Sequence, residues 1–517
     1  MKKLLFVALT LAVALPLSAQ MDSTVLAVSG AGDMESLTED EFERILSSRK
    51  VRLNASGRNR LLSSGLFSAY QVASIIDYRE RCGDILSITE LGSLDGFTFE
   101  QARRLSPLID FSSDRLPGQR PRAPHLYGNA LGRYCVRDYK GETQNKHVLK
   151  LKGEYGALEY AGAESRSYDG KGNATFGLAW NGSRWLEKAV VGDYNLRFGQ
   201  GLLQWSGFQM GSFQSIQSFI RRPTGLSLST SSSGSGTIRG AAAEFNVLKR
   251  LSVVTFKGVG PDKDKAGTWS TWYGKNCQVS GGGILSGGKI SASADLRLCI
   301  KGVDLAAECA AQDGSVSGWT ASTVFPLWDR SRLAAAYRQT TMEKTAALGL
   351  ETGGTLFTLD RQKKKDVVSY DAILKQTIKL RPPMEIAFRL KERFLPADRK
   401  FKTDVRMDVV YSGETGLRLA ARGNALWYRD MSWLGYAEAG YVRAKFNAYF
   451  RWTVYKVDNW DDRIYVYERD LPGMFTSPAA YGRTSAVYLV GTYKTKALQI
   501  SARLGMDHSR FQLSWKF

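Results

Sequence analysis

The chain ends in RFQLSWKF, with Phe511, Leu513, Trp515 and Phe517 on one parity and Arg510, Gln512, Ser514 and Lys516 on the other. Successive side chains of an extended strand point to opposite faces, so this segment has one apolar side and one wettable side. The same period runs through Phe401, Thr403, Val405, Met407, Val409 and Tyr411, set against Lys402, Asp404, Arg406 and Asp408. It returns in Ile290 to Ile300, Phe446 to Val454 and Leu498 to Leu504. Full charges fall at strand centres on the polar parity, which therefore needs water, while the opposite parity needs an apolar medium. A strand with lipid outside and water inside meets both demands. Backbone in lipid must be hydrogen-bonded within the protein, so such strands have to close on themselves. The pattern predicts a mainly β fold, a closed antiparallel transmembrane β-barrel spanning 126–517. About ten residues per strand with uneven loops gives roughly 14 to 18 strands.

Lys2 and Lys3 precede an apolar run from Leu4 to Leu17 and then Ser18-Ala19, so residues 1–19 read as a secretory signal peptide. No later stretch approaches the ~20 consecutive apolar residues of a membrane helix. With 43% hydrophobic residues, 51 glycines and 13 prolines, the composition suits many glycine-softened strands better than a large helical core.

Between signal and barrel, residues 20–112 read as a small all-α domain facing the periplasm. Thr38 with Glu41, Ser87 with Glu90 and Thr98 with Gln101 match the capping box that satisfies free amides at a helix start. Helices are expected over 38–50, 56–64, 68–82, 87–93 and 98–106, with residues 113–125 as a Pro- and Arg-containing linker. Charge divides along the same boundary. Residues 22–112 hold 10 basic and 14 acidic side chains, net −4, whereas residues 113–517 are net +23.

The alternating C-terminus that stops on Phe517 resembles the signal by which Gram-negative outer-membrane barrels are recognised for insertion. That resemblance implies the barrel assembly machinery as a partner, and outer-membrane lipids and lipopolysaccharide as surroundings. The run from Leu53-Asn54-Ala55 through Ile75-Ile76-Asp77-Tyr78-Arg79 to Leu105 resembles the tandem helix-hairpin-helix domain of competence DNA receptors, with the repeats at about 53–108. In those receptors a Gly-hydrophobic-Gly turn lets backbone amides reach phosphate. Here the turns read Gly65-Leu66-Phe67 and Gly96-Phe97-Thr98, without the second glycine. The resemblance implies Gly65, Leu66, Gly96, Phe97, Arg79 and Arg81 as nucleic-acid contacts. As a whole the chain resembles Bacteroidota outer-membrane barrels that carry an N-terminal helix-hairpin-helix domain.

On the polar parity lie Arg297, Arg406, Arg418, Arg422, Arg443 and Arg451, candidates for a basic lumen that would favour anions. The alternative places such side chains near the rims, paired with lipopolysaccharide phosphates or with luminal carboxylates. The segment 208–236 is too long and too Ser- and Gln-rich for a turn. It reads either as a loop folded into the lumen, with Arg221 and Arg222 near a constriction, or as a surface loop. Three widely separated histidines (His125, His147, His508) and five scattered cysteines give no metal-ligand or triad spacing, so no cofactor, metal or catalytic group is expected. The functional expectation is a nonenzymatic, porin-like transport barrel for solute passage or docking. Its periplasmic domain would plug it, support it or recruit a periplasmic protein. The alternative is DNA binding or uptake at the envelope.

Overall fold

A computed structural model describes residues 50–517, apart from 65, 114–124, 140, 183–184, 207–212, 233–235, 249, 261–262, 275, 329–330, 381–382 and 507. The expected signal peptide, the helix at 38–50 and nearly all of the linker fall outside the described residues. From Leu126 to Lys516 the chain forms a closed antiparallel barrel of 24 strands, each paired with its neighbour in sequence. The last strand, His508–Lys516, pairs with the first, Leu126–Tyr139, with Phe511 opposite Tyr134. Phe517 extends this seam, exchanging backbone hydrogen bonds of 2.8 and 3.0 Å with Gly128. The ladder thus closes on itself, and over most of its length it satisfies the wall's backbone without water.

The alternation read from the sequence sets the two faces. Trp515 is 51% exposed while Ser514 beside it is 6% exposed, and Phe450 at 50% neighbours Arg451 at 3%. Leu151, Phe176, Leu296, Leu359, Phe450 and Leu513 belong to an outward apolar belt. A belt this continuous far exceeds the patches of a few hundred Å² that soluble monomers expose, and lipid is the medium that accommodates it.

Twenty-four strands exceed the expected count because the chain spends little length on connections. Lys301-Gly302 and Asp313-Gly314 both take positive φ (50° and 83°, 49° and 82°) and make two-residue hairpins. Such turns match the twist of the flanking strands. At one end of the barrel every described connection has two to four residues, from 156–157 round to 495–497. The opposite end carries the two long excursions, 198–237 and 458–481.

A helical unit precedes the barrel: α1 (Arg58–Ser63), α2 (Ala69–Arg81), α3 (Ile88–Ser93) and α4 (Phe99–Leu105). The starts agree with the expected caps. Thr98 and Gln101 form a full capping box, Ser87 accepts from the Glu90 amide, and Ser68 with Gln71 makes a further box. Leu53, Leu61, Leu66, Phe67, Ile75 and Leu91 fill the core, and Val51–Arg52 pairs in parallel with Ile109–Asp110 to clasp the two ends. The unit meets the short-turn end of the barrel. Arg60 pairs with Glu154, the Arg58 guanidinium lies 4.3 Å over the Tyr273 ring, and Tyr273 belongs to the unit's own hydrophobic core.

Gly128 has no room for a side chain: a Cβ there would run into the Phe517 ring and the Tyr160 hydroxyl. Gly128→Val is expected to overpack the seam at a cost on the order of 1–3 kcal/mol. It should lower the fraction of compact, heat-modifiable barrel on unboiled gels relative to wild type.

Candidate functional site

The site is the lumen, and its shape follows from where the wall lets go of the chain. The strand Leu186–Arg197 bends inward at Gly192, whose φ of 103° only glycine adopts readily. On one edge it pairs with Ile238 to Phe245 as far as Tyr194, while on the other edge Lys188 to Gly192 pair with Gly177 to Asn181 and Tyr194 to Arg197 pair instead with a short strand, Gly225–Leu228, inside the barrel. This departure strips the neighbouring strand of its partner beyond Gly177. Asp193 and Arg239 repair the gap. The Asp193 carboxylate accepts the Phe176 amide at 2.8 Å, Arg239 donates to the Ala174 carbonyl at 2.6 Å, and the two side chains pair at 2.9 Å.

The excursion 198–237 then crosses the lumen between two regions of wall. On one side, inward polar side chains bind its backbone: Thr175 Oγ1 on the Ser231 carbonyl at 2.9 Å, Ser165 Oγ on Ser232 at 2.6 Å and Lys150 Nζ on Thr230 at 3.3 Å. On the other, Glu308 accepts the amides of Gln200 and Leu202 at 2.6 and 3.1 Å, and Arg338 donates to the Gly201 carbonyl at 3.1 Å. Ile216 and Phe219 pack on Ala334, Ala347 and Leu356. Phe198 stacks on Trp269 at 4.8 Å, inside an apolar cluster with Tyr194, Leu196, Leu226 and Phe256. Of the two readings of this segment, the described part takes the inward one.

The second excursion, 458–481, is latched to the wall by charge. Glu438, 4% exposed, accepts from Arg451 at 2.6 and 2.9 Å and from the loop's Arg469 at 2.7 Å. Arg503 pairs with the loop's Glu468, and Arg510 pairs with the loop's Asp470. Arg451 further donates to the Tyr467 carbonyl at 2.7 Å and Arg503 to the Arg469 carbonyl at 3.0 Å. The rings of Tyr436, Tyr449 and Tyr488 flank these guanidiniums at 4.0 to 4.4 Å. Phe475, farther along the loop, packs against the core of the helical unit, so this loop reaches through the barrel to its other end. At the loop's base Arg483 bonds Asp458 at 2.6 and 2.8 Å, which holds the Asp458 carboxyl below its ordinary range.

Between these anchorages lies an arc formed by the strands Val367–Lys379, Met384–Leu395, Lys400–Ser412 and Leu417–Trp427. Leaving aside the terminal residue at each strand end, its inward positions carry Lys375, Arg389, Lys391, Arg393, Lys402, Arg406, Arg418 and Arg422 against Asp371, Glu385, Asp404 and Asp408. Arg393 holds Asp371 at 2.5 and 2.7 Å, Arg389 holds Asp404 at 3.2 Å, and Asp408 bridges Arg406 and Arg422 at 2.7 and 2.5 Å. Arg389 and Arg406 are directly opposite one another in register, as are Lys391 and Asp404. Lys402 donates to the Asp461 carbonyl of the second loop.

The sequence candidates distribute unevenly over this lumen. Arg406, Arg418 and Arg422 line the arc, and Arg451 is in the latch. Arg297 is buried on the wall against Asp304 at 2.8 Å. Arg221 bonds the Gln200 carbonyl at 2.9 Å, and Arg222 follows it, half-buried, in the first excursion. Arg443 instead occupies a turn beyond its strand, bonded to the Tyr441 hydroxyl at 2.8 Å at the rim. Of the proposed nucleic-acid contacts, Gly65 lies outside the described residues. Leu66 and Phe97 are buried in the helical core, and Gln71 bonds the Gly96 carbonyl at 2.8 Å. Arg79 donates to the carbonyls of Leu53, Asn54 and Ser56 at 2.6 to 3.2 Å, and Arg81 pairs with Asp77 at 2.6 Å. Lys375, Arg389, Lys391 and Arg393 went unnoticed in the sequence, although Phe388, Leu390 and Phe394 alternate with the last three in the diagnostic period.

No protein-family model matches the chain. No curated protein matches it in sequence. Among solved structures, the translocation pore of the P pilus usher PapC is similar over 76% of this chain and 98% of its own, at 13% identity and a TM-score of 0.39. The E. coli P pilus tip assembly intermediate PapC-PapD-PapK-PapG is similar over 79% of this chain and 63% of that chain, at 12% identity and a TM-score of 0.45. Pseudomonas aeruginosa OccK2 in complex with glucuronate is similar over 76% and 96%, at 10% identity and a TM-score of 0.29. The likeness goes no further than a large β-barrel.

Removing one partner of a buried ionic cluster leaves the others desolvated without compensation, at a cost of about 3–5 kcal/mol. Glu438→Gln is therefore expected to loosen the loop 458–481, read as faster protease cleavage within it while the barrel stays intact.

Proposed function

We propose that this chain is an outer-membrane barrel that, without enzymatic activity, passes or docks a solute at its lumen, with the helical unit on the periplasmic side as plug, support or recruiter of a periplasmic protein. The observation that carries this reading is the combination of an outward apolar belt with a charged interior into which two long loops are fastened. Outer-membrane barrels have short periplasmic turns and longer extracellular loops, and the helical unit meets the short-turn end. Insertion by the barrel assembly machinery into lipid and lipopolysaccharide follows from the same reading. A secretory signal at residues 1–19 would bring the chain there.

The helical unit resembles tandem helix-hairpin-helix domains in its sequence alone, and the placement of its side chains favours a mechanical role. Leu66 and Phe97 are spent on the core and Arg79 on backbone carbonyls, while Arg58 and Arg60 face the barrel. Nonspecific DNA affinity comes largely from basic groups that neutralise phosphate, and these ones are engaged within the protein.

Planar-bilayer recording of the full-length protein tests the reading. Wild type is expected to give small or intermittent currents, and deletion of residues 213–232 to raise single-channel conductance by about twofold or more. Absence of current from both proteins after verified insertion would overturn a solute path through the lumen.

A further inference from the structure

We infer that the arc between residues 367 and 427 is an anion track, selecting negatively charged small solutes over cations as they move along the barrel wall. This rests on the proposed lumen path and names the class of solute that uses it. The charge balance of the lumen motivates it. The latch brings Arg451, Arg469, Arg503 and Arg510 against Glu438, Glu468 and Asp470, close to neutrality, and it is occupied by the loop. The first excursion is held mainly through its backbone and Glu308. The arc instead concentrates eight basic side chains against four acidic ones on adjacent strands, leaving aside the terminal residue at each strand end.

Its local order points the same way. Asp408 is bracketed by Arg406 and Arg422, while Asp404 bonds Arg389 and stands opposite Lys391. A cation approaching either carboxylate meets positive charge on both sides. An anion meets a succession of guanidinium and ammonium donors with a net positive field behind them. Arg389 and Arg406 stand directly opposite each other on one face, a pairing of like charges that is unfavourable alone and relieved by negative charge beside it. The two carboxylates supply part of that relief, and a passing carboxylate, phosphate or chloride adds to it. In a cleft walled by low-dielectric protein, such a field raises the local concentration of the favoured ion.

The test is the reversal potential of the full-length protein in a bilayer across a potassium chloride gradient, repeated with the 213–232 deletion for larger current. The expected result is chloride selectivity. The variant carrying Arg389→Gln, Lys391→Gln and Arg393→Gln should lower the chloride-to-potassium permeability ratio by about threefold or more. A control variant with Lys363→Gln, Lys364→Gln and Lys365→Gln, near the turn at 365–366, removes the same charge at the rim and is expected to leave the ratio unchanged. Both variants must show the wild-type heat-modifiable band. Current that is unselective or cation-selective, or a rim control that shifts the ratio as much as the arc variant, overturns the anion track while leaving a conducting barrel. No current from any of the proteins overturns the lumen path itself.

Discussion

The closure of one backbone ladder governs the rest of the molecule. A peptide N–H or C=O facing hydrocarbon has no water to bond, and each unsatisfied group costs several kcal/mol. The strand ending at Lys516 meets the strand beginning at Leu126, and Phe517 prolongs the seam on Gly128, so over most of its length the wall needs no solvent for its own hydrogen bonds. Closure also creates an inside and an outside. Only then does alternation acquire its meaning, with Trp515 outward and Ser514 inward on neighbouring positions.

Where the wall opens, the same requirement reappears and is met by side chains. At Gly192 a strand leaves its neighbour on one side, and Asp193 and Arg239 take over the amide and carbonyl it abandons. Further in, the excursions bring irregular backbone to membrane depth, which is tolerable because the lumen wall supplies partners. Thr175, Ser165, Lys150, Glu308 and Arg338 do so for the first loop, and Arg451 and Arg503 for the second. The inward polar face is thus both the lining of the lumen and the scaffold on which the loops are fastened.

These two uses separate by position around the barrel. Charge is balanced by loop residues at the latch, where burial makes an unpaired ion expensive. On the arc between 367 and 427, neighbouring wall residues pair with one another and basic groups remain in excess. The helical unit adds a third element from the opposite end, with Tyr273 of the wall and Phe475 of the second loop both packed on its core. Loop, wall and helical unit therefore share contacts along the length of the lumen.

The sequence by itself determined the barrel, the parity of its faces and the starts of two helices, because each depends on local rules: a period of two, and a capping residue three positions before its partner. Ser87 and Thr98 cap where expected, and Phe511, Leu513 and Trp515 face outward. It misjudged the strand count, since two-residue turns such as Lys301-Gly302 leave little local signal beside the strands they join. It also could not give height along the barrel, so Arg443 at the rim and Arg451 in the latch looked alike. Only the tertiary structure decided which charges meet. Glu438 finds Arg469 across 31 residues and Arg503 finds Glu468 across 35, pairings set by the closed wall and the inward path of a loop. Such partners are distant in sequence and carry no period, so no local pattern could announce them.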